Sequence, residues 1–138
     1  MDSDWARNLA ERKKSELEVQ RLQQEKDLND RQLLDANADK MWVEVRRAAA
    51  GYCKELNHSM ASDYIKFEGA SYHNSFTLIT PETTYTVTFN PQTWLLSAQG
   101  TTYNLIVGES NAVAWKSADG KTLSSETVAQ NIVGTAFR

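Results

Sequence analysis

Cys53, His58 and His73 are the side chains of this 138-residue sequence best suited to nucleophilic or acid–base chemistry, with Glu55 and Asp63 nearby in the chain. A Cys/His pair works only when the imidazole can take the thiol proton across a single hydrogen bond. The residues around Cys53 have helical spacing, and on a helix Cys53 and His58 project about 140° apart, so the pair cannot form from that element alone. Cys53 falls instead among apolar neighbours, where a thiol is an inert structural group. Metal chemistry has no better foundation, because there is no Cys-x-x-Cys, His-x-x-x-His or acidic calcium loop. Gly69, Gly100, Gly108 and Gly120 stand at turn positions rather than in a phosphate-cradling loop. No catalytic, cofactor-binding or metal-ligating residue is assigned, and the chain reads as non-enzymatic.

Charge narrows the partners. The formal net charge of −3 gives no global attraction to nucleic acid or to an acidic membrane surface. The basic clusters Arg12-Lys13-Lys14 and Arg46-Arg47 are flanked by acids and carry no interleaved aromatics, which argues against single-strand binding. No apolar run approaches the roughly 18 residues of a membrane span, and no hydrophobic signal segment occurs in the first thirty residues. The single cysteine cannot form an internal disulfide. A cytoplasmic location without membrane association is the default expectation.

The elements that would position any site are of two kinds. Residues 1–60 hold 11 of the 15 Lys+Arg and 12 of the 18 Asp+Glu, and Gly51 is the only Gly or Pro before Gly69. The chain therefore reads as a long helix followed by a region of short strands. From Ala38 the apolar residues Trp42, Val45, Ala49, Tyr52 and Leu56 recur every three or four positions, widened by Met41, Ala48, Cys53 and Met60. That stripe predicts a helix packed on something. Upstream, Trp5, Leu9, Leu17, Val19, Leu22, Leu28, Leu33 and Leu34 scatter round the helix, and no heptad seam survives. Support there comes from charge pairs at four-residue spacing, such as Arg7 with Glu11, Arg21 with Glu25 and Asp27 with Arg31, each worth a few tenths of a kcal/mol. The expected division is a charged helical extension, residues 1–34, and an α+β domain, residues 35–138.

Turn signals recur at residues 80–83, 90–93, 99–102, 108–111 and 117–120, which predicts successive hairpins. Strands are expected near 64–69, 74–80, 83–90, 93–99, 102–108 and 111–117. Phe76, Leu78, Tyr85, Val87, Phe89, Trp94, Leu96, Tyr103, Leu105, Val107, Val113 and Trp115 fall on one face, and Thr84, Thr86 and Thr88 on the other. Such a sheet needs cover on one side only. Ser124 can cap a C-terminal helix, with Leu123 and Val128 placed as a hydrophobic staple, and Gly134 predicts fraying after Val133. The fold expected is α+β: a long N-terminal helix, a five- or six-stranded antiparallel meander, and a short terminal helix, with both helices on one sheet face.

Two functions fit these elements. The favoured one is a protein-interaction or assembly module, in which the arm (Trp5, Leu9, Leu17, Leu22) engages another protein or a second copy and the Thr84, Thr86 and Thr88 face offers a platform. The alternative is a small-molecule binding protein or simple enzyme with a pocket between sheet and helices, lined by Tyr85, Trp94, Tyr103 and Trp115.

Overall fold

A computed structural model describes residues 2–69 and 74–138 and divides the chain into two compact units, one ending at Gln32 and the other spanning Leu33–Arg138. Helix α1 (Asp2–Met60) contributes to both. It is followed by β1 (Lys66–Glu68), β2 (Ser75–Ile79), β3 (Thr84–Asn90), β4 (Leu95–Ala98), β5 (Thr101–Val107), β6 (Val113–Ser117), β7 (Thr122–Leu123) and α2 (Ser125–Phe137).

In the first unit, residues 3–29 are exposed without exception. Its helix carries ion pairs along its own surface: Arg21 bonds both Glu18 and Glu25, and Lys26 reaches Asp30 at 3.1 Å. Of the pairs expected from spacing, Arg21 with Glu25 is formed; Lys13 also pairs with Glu16, at 3.9 Å.

In the second unit the strands form one antiparallel sheet in the order β1 to β7, a meander in which every neighbour in sequence is a neighbour in space. The strand count is seven rather than the expected five or six. The additional strand, β7, is two residues long and pairs Trp115 with Leu123 and Lys116 with Thr122 across the Ser117–Gly120 turn. So short a segment has no periodicity to read. Its pairing comes from the turn, where Ser117 donates its N–H to the Lys121 carbonyl and Gly120 adopts a φ of 88°.

Alternation does the rest. In β3 each odd position is buried and each even one exposed, so Tyr85, Val87 and Phe89 point to the core. Register carries that face across the sheet, with Phe76 opposite Val87, Phe89 opposite Leu96, and Leu105 opposite Trp115. The core against it includes Leu34, Ala38, Trp42, Val45, Ala49 and Cys53 of α1 together with Val128, Ala129, Ile132, Val133 and Ala136 of α2. Trp42 stacks on both Phe76 and Phe89 at 5.5 Å between ring centroids.

Three details depart from the pattern read in sequence. Leu34 is buried, because it lies one turn before Ala38 on the same helical face. Met60, the last residue of α1, is exposed. There Ala61 takes a φ of 54°, Ser62 N–H donates to the Asn57 carbonyl and Ala61 N–H to the His58 carbonyl, closing the helix in a Schellman arrangement. At the other end of the unit, α2 continues through Gly134 to Phe137 because Ala136 is buried in the core and Phe137 meets Tyr64 edge-on. Its N-cap is Ser124, whose hydroxyl accepts from Thr127 N–H.

Candidate interaction surfaces

The aromatic residues considered for a pocket are spent on packing. Tyr85, Tyr103 and Trp115 are all buried. Two of their polar tips are satisfied by the fold itself: Tyr85 Oη donates to the Ala98 carbonyl at 3.0 Å, and Trp115 Nε1 donates to Ser125 Oγ at 3.0 Å. Ser125 also donates to the Met41 carbonyl at 3.5 Å, so one hydroxyl links α1, β6 and α2. Trp94 is half-buried at the end of the β3–β4 loop with a φ of 53°, and its indole Nε1 has no hydrogen-bond partner among the described residues.

The groups that could do chemistry are not assembled either. Cys53 is buried, and desolvation pushes its thiol up to about 11, away from the thiolate that a nucleophile needs. His58 is exposed, one turn further along α1, and His73 lies outside the described residues. Among the described residues no group of three His, Cys, Asp or Glu could hold a metal ion, and no helix is long and apolar enough to cross a membrane. Arg46 is buried while Arg47 is exposed, so the pair does not form a common basic surface; burial lowers the Arg46 pKa from its ordinary value. Ser117, Asp119 and Lys121 meet at the β6–β7 turn. There Asp119 accepts from the Ser117 hydroxyl, which holds its carboxyl below the usual range, and Lys121 Nζ is 3.8 Å from it. These contacts are the turn's own closure.

Shallow grooves run along the edges of the second unit. One of about 320 Å³ is lined by Val43, Arg46, Arg47, Ala50, Phe67 and Gly69. Another, of about 420 Å³, takes in Tyr103, Ser117, Asp119, Lys121 and Asn131. In the second groove the Ser117 hydroxyl and the Asp119 carboxylate bond each other as part of the β6–β7 turn.

What does stand open is surface of two kinds. On the arm Trp5 is 68% exposed, Leu9 44%, Leu17 52% and Leu22 52%, joined by Val19 and Leu28, which the apolar pattern placed no better. On the sheet, Thr84, Thr86 and Thr88 are exposed, with Thr77 opposite Thr86 on one side and Ser97 opposite Thr88 on the other. Charges on this face are confined to the outer strands, at Lys66, Glu68 and Lys116, so its centre is hydroxyl-rich and neutral. Sequence reasoning expected these residues to be exposed but did not single out the half-buried Asn57 or the buried Ser125. Asn57 lies one turn before the end of α1 and Ser125 immediately after a cap, positions where a short polar side chain reaches backbone.

Comparison with known proteins finds no matching family model, no similar curated protein and no similar solved structure.

Proposed function

We propose that the protein is a non-enzymatic interaction or assembly module, in which the helical arm is the binding element and the sheet domain a stable platform. The observation that carries this reading is the exposure of six large apolar side chains, Trp5, Leu9, Leu17, Val19, Leu22 and Leu28, on a stretch of helix with no buried residue from Ser3 to Asn29. Helices of this kind are marginal in water on propensity and ion pairs alone, and gain most of their stability by packing an apolar side on something. Exposed apolar surface in that quantity favours association.

The test compares sedimentation of the full chain with that of residues 33–138 over a range of concentrations. The shorter chain keeps every buried hydrophobic residue of the core and should fold. Concentration-dependent mass in the full chain with a monomeric shorter chain is the expected result. Identical behaviour of the two, with arm amides that exchange with solvent as freely as those of an unfolded peptide, would remove the arm as an assembly element.

A further inference from the structure

We propose that the crease between α1 and the edge of β1 is a docking surface for an extended, acidic peptide segment of another protein, a site separate from the arm. Among the described residues β1 has one neighbour in the sheet, β2, so the backbone groups on its outer edge have no strand beside them. Two grooves adjoin along that edge. The one of about 320 Å³ against Val43 and Arg47 shares Ala50 and Phe67 with another of about 300 Å³ that takes in Lys54, Asn57, Asp63 and Lys66. Together they follow α1 from Val43 to Asn57, about 21 Å at helical rise. That is the length of about six extended residues.

Charge selects the occupant. Arg47, Lys54 and Lys66 are exposed along the crease, and none of them takes part in an ion pair among the described residues. Arg46 adds a buried charge at the end of β1, with its Nη2 3.1 Å from where a Cβ on Gly69 would stand. Against these four bases stand Asp63, which lines the crease, and Glu68, exposed beyond Lys66 on β1, a net +2 in a chain whose formal net charge is −3. The other acids of this part of α1 lie off the crease. Arg47 and Lys54 project about 20° apart on the helix, with Val43 and Ala50 beside them, whereas Glu44 and Glu55 project about 60–100° further round. Glu55 lines a groove on the α2 side, with Tyr52 and Gln130, and Asp39 precedes Val43 by a turn. A strand laid beside β1 would direct alternate side chains toward Val43, Ala50 and Phe67. Apolar residues alternating with Glu or Asp therefore suit both the walls and the bases, which is strand addition with charge selection. Single-strand nucleic-acid binders instead present free aromatic faces, and Phe67 of the crease already stacks on Phe76.

The test titrates the full chain against a fluorescein-labelled, N-acetylated peptide that alternates Glu and Val, read by anisotropy at low salt. Saturable binding with a Kd on the order of 100 μM is expected, and residues 33–138 alone should bind as tightly. Arg47→Glu and Lys54→Glu should each weaken binding about fivefold or more. Lys116→Glu, the same charge change at an exposed site on β6, should weaken it by less than about twofold. A strand pairs through one edge only, so N-methylation of one alternating set of peptide amides should cost about tenfold and of the other set less than about threefold. Equal losses from both sets would overturn pairing beside β1. Equal losses at Lys54 and Lys116 would reduce the effect to net charge and overturn the crease as the site. A single-stranded oligonucleotide of the same charge that binds as well would make the crease a general anion surface and overturn the peptide assignment, as would the absence of saturable binding at millimolar peptide.

Discussion

Asn57 clamps the backbone of Ile65: its side-chain amide donates to the Ile65 carbonyl at 2.8 Å and accepts from the Ile65 N–H at 2.9 Å. The two bonds satisfy both polar groups of a residue whose side chain is buried, and they fix where the chain leaves α1 and heads into β1. Asn57→Ala leaves a backbone donor and acceptor without their partner at the edge of the core. The expected cost is about 1–3 kcal/mol, read as a lowered urea midpoint with unchanged m-value. Asn57→Asp should be no better than Ala, because a carboxylate cannot donate to the Ile65 carbonyl. A parent-like midpoint for both would show the clamp to be idle.

Ala61 occupies the left-handed position that ends α1, with a φ of 54°. An L-residue with a Cβ pays about 1–2 kcal/mol there, and glycine relieves it at some entropic cost in the unfolded chain. Ala61→Gly is therefore expected to stabilise the protein by about 1 kcal/mol, seen as a rise of several degrees in Tm. The exposed site has no side-chain contact to lose, so a fall in Tm would mean that the chain ends its helix differently in solution.

Much of this architecture is legible because it repeats. Tyr85-x-Val87-x-Phe89 against Thr84-x-Thr86-x-Thr88 states the pleat, and Ala38 to Cys53 states the buried side of α1. What escapes is what does not repeat. β7 is two residues long and owes its pairing to the preceding turn. Leu34 looks like an arm residue until Ala38 is known to be buried, and Ala61 ends a helix without the glycine that would announce it. The open surfaces were the easiest part to find and the hardest to interpret, since exposed leucine on a charged helix has no period that names its partner.

Cys53 should behave as a core thiol. Burial raises its pKa to about 11, so between the ordinary thiol value near 8.5 and that point the folded state holds a proton the unfolded state has released. Stability contributed by this residue is thus complete below about pH 8.5 and lost as pH rises toward 11, at up to about 1.4 kcal/mol per unit. Cys53→Ala should flatten that part of the stability profile relative to the parent. In the native protein, labelling by a thiol reagent should follow the rate of opening; complete reaction within seconds at neutral pH would contradict burial.

Ser125 is a small residue with a large expected effect. Its hydroxyl accepts from Trp115 Nε1, the indole of a fully buried ring, and donates to the Met41 carbonyl. Ser125→Ala removes the oxygen that accepts from that indole and should cost about 1–3 kcal/mol. Ser124→Ala next to it loses an exposed cap and should cost about 1 kcal/mol. Comparing the two in thermal denaturation separates the buried bond from the helix cap; a larger loss at Ser124 would place the energy in the cap.

The strand TYTVTF tests whether the sheet is covered on one side only. Thr86 is exposed between Thr77 and the outward positions of β4, whereas Val87 is fully buried between Phe76 and Ala98. Thr86→Lys should change stability by no more than about 0.5 kcal/mol. Val87→Lys places an ammonium in the apolar core against Phe76, and the domain is expected to lose its cooperative unfolding transition. The solution mass of Thr86→Lys then decides between the two open surfaces. If association is unchanged, the arm carries it. If the variant folds but no longer associates, the neutral hydroxylated face is the contact. Equal disruption by both substitutions would mean that the face bearing Thr86 is packed in solution, and that a second layer covers what the isolated chain leaves open.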